Sequence, residues 1–194
     1  MVEDESRRKT TFIEVVMKIY LRPVTENDGK MIVKWRNAPQ VARHCFSKEA
    51  VTEESNLEFF RNCVQSGKYI QFIVERIEEI SGVASYPIAT TYFKDVDNTN
   101  HRCELCLFTS DDEEWNTESQ TIAIKMMLEK AFNEMGMNKV YSYMFAEYDD
   151  EKELLEMAGF HEEAVLRKEY INADGRYGDV YRMVIFETDF KDKK

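Results

Sequence analysis

The chain has 194 residues, with 26 lysines and arginines against 37 aspartates and glutamates and a formal net charge of −11. A chain this long buries roughly 70% of its unfolded surface and needs no metal or disulfide staple; with 43% hydrophobic residues but only 7 Gly and 3 Pro, one regular globular domain is expected and low-complexity or collagen-like chains are excluded. The acidic balance disfavours nucleic acid and anionic membrane surfaces as partners, because both need clustered cations, and it suits a cationic partner such as an amine.

Residues 1–17 read as a polar N-terminal extension. Met1 to Lys9 is charged and lacks the apolar run of a signal peptide. No apolar stretch approaches the ~18 residues that span a bilayer, so a cytoplasmic location is expected. Lys18-Ile19-Tyr20-Leu21-Arg22 alternates polar and apolar and predicts a half-buried strand stopped by Pro23. Thr25-Glu26-Asn27-Asp28 starts a helix that runs to about Asn37, and a second runs from about Thr52 to Gly67. Strands are predicted over 69–74, 88–93 and 102–109; the piece 77–86 is too long for a hairpin loop and carries no clear pattern.

The clearest helix covers about 118–135. Ile124, Met127, Leu128, Ala131 and Met135 recur at helical spacing, and Gly136 stands at the C-cap. The methionines over 126–137 read as core filling. A strand over 139–145, a short helix over 150–158 and a long hairpin formed by 165–170 and 177–186 complete the domain, and 188–194 is a charged tail. The order β-αα-βββ-α-β-α-ββ predicts a mixed α/β (α+β) domain. Its sheet should be mostly antiparallel, with about seven strands flanked by about four helices.

Cys103 and Cys106 invite a metal reading. On a strand, residues three apart point to opposite faces, so these thiols cannot share one ion. His44, His101 and His161 are scattered without ligand spacing, and no metal is expected.

Four strings carry a resemblance. They are Lys34-Trp35-Arg36-Asn37; Cys103-Glu104-Leu105-Cys106-Leu107-Phe108; the block from Leu128 through Gly136-Met137-Asn138-Lys139-Val140-Tyr141; and Leu155-Glu156-Met157-Ala158-Gly159-Phe160. With the element order, they make residues 18–187 resemble the GNAT N-acetyltransferases. The closing Asp174-Gly175-Arg176-Tyr177-Gly178-Asp179-Val180-Tyr181 is similar to the subgroup acting on ribosomal-protein N-termini and nucleotide-linked amino sugars. The resemblance implies transfer of an acetyl group from acetyl-CoA, as co-substrate, to a primary amine. The acceptor is then a small-molecule amine such as an amino sugar, or a protein N-terminus. Exposed sheet edges in this fold also imply a homodimer.

Acetyl transfer needs a thioester held in place, a neutral amine and a group that removes its proton. The resemblance places the donor's pantetheine arm between the fourth and fifth strands, beside Leu107, Phe108 and Thr109. It places the proton acceptor at Glu104; the plainer reading pairs Glu104 with Arg102 or His101 at the sheet surface. Trp35, Arg36 and Asn37 are the expected acceptor-binding residues, although Trp35 also suits a core anchor.

The diphosphate of coenzyme A would lie on Asn116, Thr117, Glu118, Ser119, Gln120 and Thr121. Glycines normally let the backbone approach there, but Glu118 and Gln120 stand at those positions. Asp111, Asp112, Glu113, Glu114 and Glu118 repel a diphosphate, and no Lys or Arg lies between Phe108 and Thr121. Thr117 as N-cap with Gln120 closing a capping box is a structural use of the same residues. Beyond the fifth strand, Tyr148 and Glu151 replace the family's Asn and Ser. Leu155 replaces the tyrosine that protonates the leaving thiolate, a role Tyr148 is the candidate to take over. The alternatives are therefore a non-catalytic binding protein of this fold, or a transferase with another acyl donor such as an acyl carrier protein.

Overall fold

The computed structural model describes residues 19–78, 84–108, 110, 112–172 and 174–191. The expected extension at 1–17, Thr109, and 79–83 of the unassigned piece lie outside them. One mixed sheet holds seven strands: β1 (Ile19–Pro23), β2 (Ile70–Glu78), β3 (Ala84–Asp97), β4 (Arg102–Phe108), β5 (Lys139–Phe145), β6 (His161–Ile171) and β7 (Tyr177–Phe186). Their order is β1-β2-β3-β4-β5-β7-β6. Every pair is antiparallel except β4 with β5.

Among the described residues, six helices surround the sheet where about four were expected. They are α1 (Gly29–Asn37), α2 (Pro39–Ala42), α3 (Glu53–Phe59), α4 (Thr117–Glu129), α5 (Asp149–Met157) and α6 (Glu187–Lys191). The two extra helices, α2 and α6, are too short for an apolar stripe to repeat along them. A wider turn prolongs α3 through Phe60–Val64 and another prolongs α4 through Lys130–Glu134.

Local chemistry sets the boundaries. The Thr52 hydroxyl accepts the Ser55 N–H at 3.1 Å while Ser55 Oγ accepts the Thr52 N–H at 3.0 Å, a reciprocal cap that starts α3. Gly136, at φ +66°, ends the extension of α4 in a conformation that other residues rarely adopt. The β2–β3 hairpin is longer than the sequence predicts, because Ile77, Glu78 and Ala84 to Tyr86 continue both strands.

Alternation along the strands sorts the side chains into two layers. On one face Phe93, Cys103, Leu105, Val140, Met144, Met183 and Ile185 pack with Ile124, Met127 and Leu128 of α4 and with Leu154 and Leu155 of α5. Each fully buried side chain of this size contributes about 1.5–3 kcal/mol, so this layer is the main core. On the other face Ile73 packs with Val24, Ile32 and Phe60, which seats α1 and α3. The two thiols divide accordingly. Cys103 lies in the main core, where burial pushes its thiol up to about 12, and Cys106 points to the opposite face.

Candidate active site

The parallel pairing of β4 with β5 stops early. It joins Arg102 to Lys139, Cys103 to Val140 and Glu104 to Tyr141, and goes no further. Beyond that point the strands diverge while each keeps its outer partner, β3 for β4 and β7 for β5. The remaining edge of β4, from Leu105 onward, therefore offers backbone groups that the sheet does not use. A cavity of about 300 Å³ fills the divergence. Leu105, Met144, Leu154 and Leu155 line it from the main-core layer, whereas Glu104, Cys106, Tyr92 and Lys94 line it from the opposite face. It thus connects the two sides of the sheet.

Glu104 is 4% exposed. Its cross-strand neighbour in register is Lys94, and the ammonium Nζ lies 2.9 Å from Glu104 Oε1. The Cys106 thiol donates to the same oxygen at 3.3 Å. Burial alone would lower the Lys94 ammonium, but its Cys106 and Glu104 neighbours outweigh it and raise it above its ordinary range. Burial, then the charge of Glu104, holds the Cys106 thiol well above a usual cysteine. Burial together with Glu104 likewise pushes the Tyr141 phenol up to about 12. The expected surface partners are engaged elsewhere: Arg102 bonds Asp97, and His101 Nδ1 bonds the Gly136 carbonyl. Glu104 is therefore a buried carboxylate with one cation beside it, facing a cavity.

The expected acceptor residues separate. Arg36 lines the cavity and donates to the Ser47 carbonyl, which ties down the loop after α2. Asn37 clamps Val51 through both of its amide atoms, at 2.7 and 2.8 Å. Trp35 is 4% exposed and does not line the cavity, in keeping with a core anchor. The segment after α2 supplies residues that sequence reasoning missed: His44, Cys45, Phe46 and Ser47 all line the cavity. Phe46 packs edge-on against Phe145 at 4.8 Å between ring centroids.

Leu107 lines the cavity. Phe108 ends β4, paired with Thr90. The start of α4 differs from the expected capping box. The helix begins at Thr117, so its N-cap is Asn116 and not Thr117. Asn116 Oδ1 accepts the N–H groups of Glu118 and Ser119 at 3.1 and 3.2 Å, and the Asn116 carbonyl accepts that of Gln120 at 2.9 Å. Gln120 closes no capping box; its Nε2 donates to the Trp115 carbonyl at 2.8 Å. Ser119 is fully buried, with its hydroxyl on the Glu114 and Asn116 carbonyls, and Thr121 bonds back to Thr117.

Tyr148 stands at the N-cap of α5, its ring 4.1 Å from that of His44, and does not line the cavity. Burial and then Glu147 raise its phenol above the ordinary value. Tyr143 does line it. Glu151 lies 2.7 Å from His44 Nδ1, joining the loop after α2 to α5 across the mouth. A second hollow of about 330 Å³ adjoins the cavity there, with His44, Trp115, Gln120, Glu151 and Leu154 common to both and Asp150 and Glu153 on its rim.

A profile for the acetyltransferase (GNAT) domain matches residues 18–161. The chain belongs to the GNAT acetyltransferase family. A spermidine N-acetyltransferase from Vibrio cholerae, solved with CoA and spermine, superposes on this GNAT chain with a TM-score of 0.80 at 21% identity, covering 89% of this chain and 98% of that one. A chimera of spermidine N-acetyltransferase from Vibrio cholerae gives 0.77 at 19% identity, over 89% and 98% of the two chains. Mutant forms of the spermidine/spermine N-acetyltransferase from the same organism give 0.76 at 20%, over 90% and 97%. No curated protein matches by sequence. Identities this low establish the shared fold, which the seven-stranded, mostly antiparallel sheet displays. Among the described residues, no group of side chains could hold a metal ion and no helix is long and apolar enough to cross a membrane.

Proposed function

We propose that this GNAT domain transfers an acetyl group from acetyl-CoA to a primary amine of a small cationic molecule. The observation that carries this reading is Glu104, a buried carboxylate facing the cavity between the diverging strands. An amine is protonated at neutral pH and attacks only after it loses a proton. A carboxylate beside the reacting nitrogen accepts that proton. The amine nitrogen then bonds to the thioester carbonyl carbon, the carbon–sulfur bond breaks, and the second proton that the nitrogen sheds on becoming an amide replaces the one given to the leaving thiolate. Tyr143, which lines the cavity, is the better assignment for that last step than Tyr148, which lies outside it. The unused backbone edge of β4 suits the amide-bearing pantetheine arm of the donor.

Charge supports a cationic acceptor. Asp150, Glu151 and Glu153 line the adjoining hollow against Arg43, and the chain carries −11 overall, so the field around the cleft favours a cation over an anion. The small volume favours a polyamine or an amino sugar over a protein N-terminus, and the polyamine acetyltransferases of the same fold are consistent with this. The test is free-thiol release from acetyl-CoA with spermidine, an amino sugar and a peptide N-terminus as acceptors. Turnover should be at least tenfold higher with one of the small amines than with the peptide. A preference for the peptide would overturn the acceptor assignment, and no thiol release with any amine would overturn the transferase reading.

A further inference from the structure

The start of α4 contradicts one part of donor recognition. A diphosphate bound at a helix N-terminus needs free backbone N–H groups and room for close approach. In this chain Asn116 already takes the N–H groups of Glu118, Ser119 and Gln120. The Glu118 side chain adds a negative charge in the same turn, and the side chain of Gln120 is committed to the Trp115 carbonyl. Two cations near this turn already have partners. Arg76 pairs with Glu114, and Arg43 donates to His44 Nε2 at 2.8 Å and lies over the Tyr148 ring. A diphosphate would have to displace the protein's own cap and enter beside carboxylates. The residues present do not fit it.

The deeper part of the cleft has the opposite character. Among the described residues, the edge of β4 beyond Glu104 is not paired with β5. Trp115 is 5% exposed and lines both hollows, and its Nε1–H has no hydrogen-bond partner among the described residues. A buried indole N–H without a partner costs free energy that an incoming acceptor atom recovers. A pantetheine arm carries two amide carbonyls and no charge, so it matches both the free strand edge and the indole.

We infer that this site recognises its acyl donor through the pantetheine thioester alone, and that the nucleotide diphosphate contributes nothing to binding or turnover. The inference rests on the acetyl-transfer reading above and narrows the class of donor.

The test compares acetyl-CoA with S-acetyl-pantetheine, using the best small amine as acceptor and following free thiol. The expected kcat/KM values agree within tenfold, with KM for acetyl-CoA insensitive to salt between about 50 and 300 mM. The Trp115→Phe variant keeps an aromatic ring, although a smaller one, and removes the N–H; it should raise KM for both donors by the same factor, about fivefold or more, with kcat little changed. An acetyl-CoA preference above tenfold would overturn the inference while leaving acetyl transfer intact. So would a Trp115→Phe variant that leaves both KM values unchanged. No turnover of either donor would overturn acetyl transfer and this inference with it.

Discussion

Glu104, the proposed base, stands on a strand whose other face packs the core. Its neighbours Cys103 and Leu105 point into the main core, so the alternation of β4 fixes Glu104 toward the cavity face. That much follows from the sequence. The partner does not: Lys94 is ten positions earlier, and only the β3–β4 register brings it opposite. The aromatic cluster at the end of β5 depends on a similarly distant contact. Tyr170 stacks on Phe145 at 3.9 Å and 16°, and its hydroxyl donates to Glu147 at 2.6 Å. Gly178 makes room for that ring, because a Cβ there would stand 2.3 Å from Tyr170 Cε1. Gly178→Ala should therefore destabilise the protein by about 1–3 kcal/mol, read as a lower midpoint in urea unfolding. An unchanged midpoint would mean that the ring moves aside at no cost.

At the scale of elements, the strong periodicities are legible and the irregular pieces are not. The stripe of α4, the β6–β7 hairpin and the Gly136 stop all follow from local pattern. The loop after α2 escapes because Arg36, Asn37 and His44 hold it by contacts to the Ser47 carbonyl, Val51 and Glu151, none of which repeats along the chain. The start of α4 is misread by one residue, and with it the cap. Asn116 holds two backbone N–H groups through its side chain, so Asn116→Ala should cost about 1 kcal/mol. For a chain of this length that lowers Tm by roughly 2–4 °C, measurable by thermal unfolding. No change in Tm would show that water satisfies those groups equally well.

For the whole molecule, charge is distributed by function and by stability. The acidic mouth is the part of that charge on which the proposed cationic acceptor depends, while one partly buried cluster ties β1 to β2 and α1. Arg22 donates to both Asp28 oxygens, at 2.7 and 2.8 Å, and to Glu75 at 2.7 Å. Burial alone would raise Asp28, but Arg22 and the backbone and hydroxyl of Thr25 outweigh it and hold the carboxyl below its ordinary 3.8. A carboxyl depressed in the folded state contributes stability that is fully present above about 3.8 and is lost as pH falls through the lowered value. Asp28→Asn should therefore be less stable than the native chain at pH 7, by about 1–2 kcal/mol. The gap should narrow as pH falls below about 3.8. A gap that stays constant over that range would contradict the ion-pair account.

The central claim is that Glu104 accepts the amine proton in the gap between β4 and β5. Its most direct test is the steady-state rate of Glu104→Gln, which keeps the shape and the contact to Lys94 while removing the base. The account predicts that kcat falls by about 100-fold or more, with KM for both substrates within a few-fold of native, while loss of the charge opposite Lys94 lowers the unfolding midpoint without preventing folding. A fully folded Glu104→Gln protein with native kcat would contradict it.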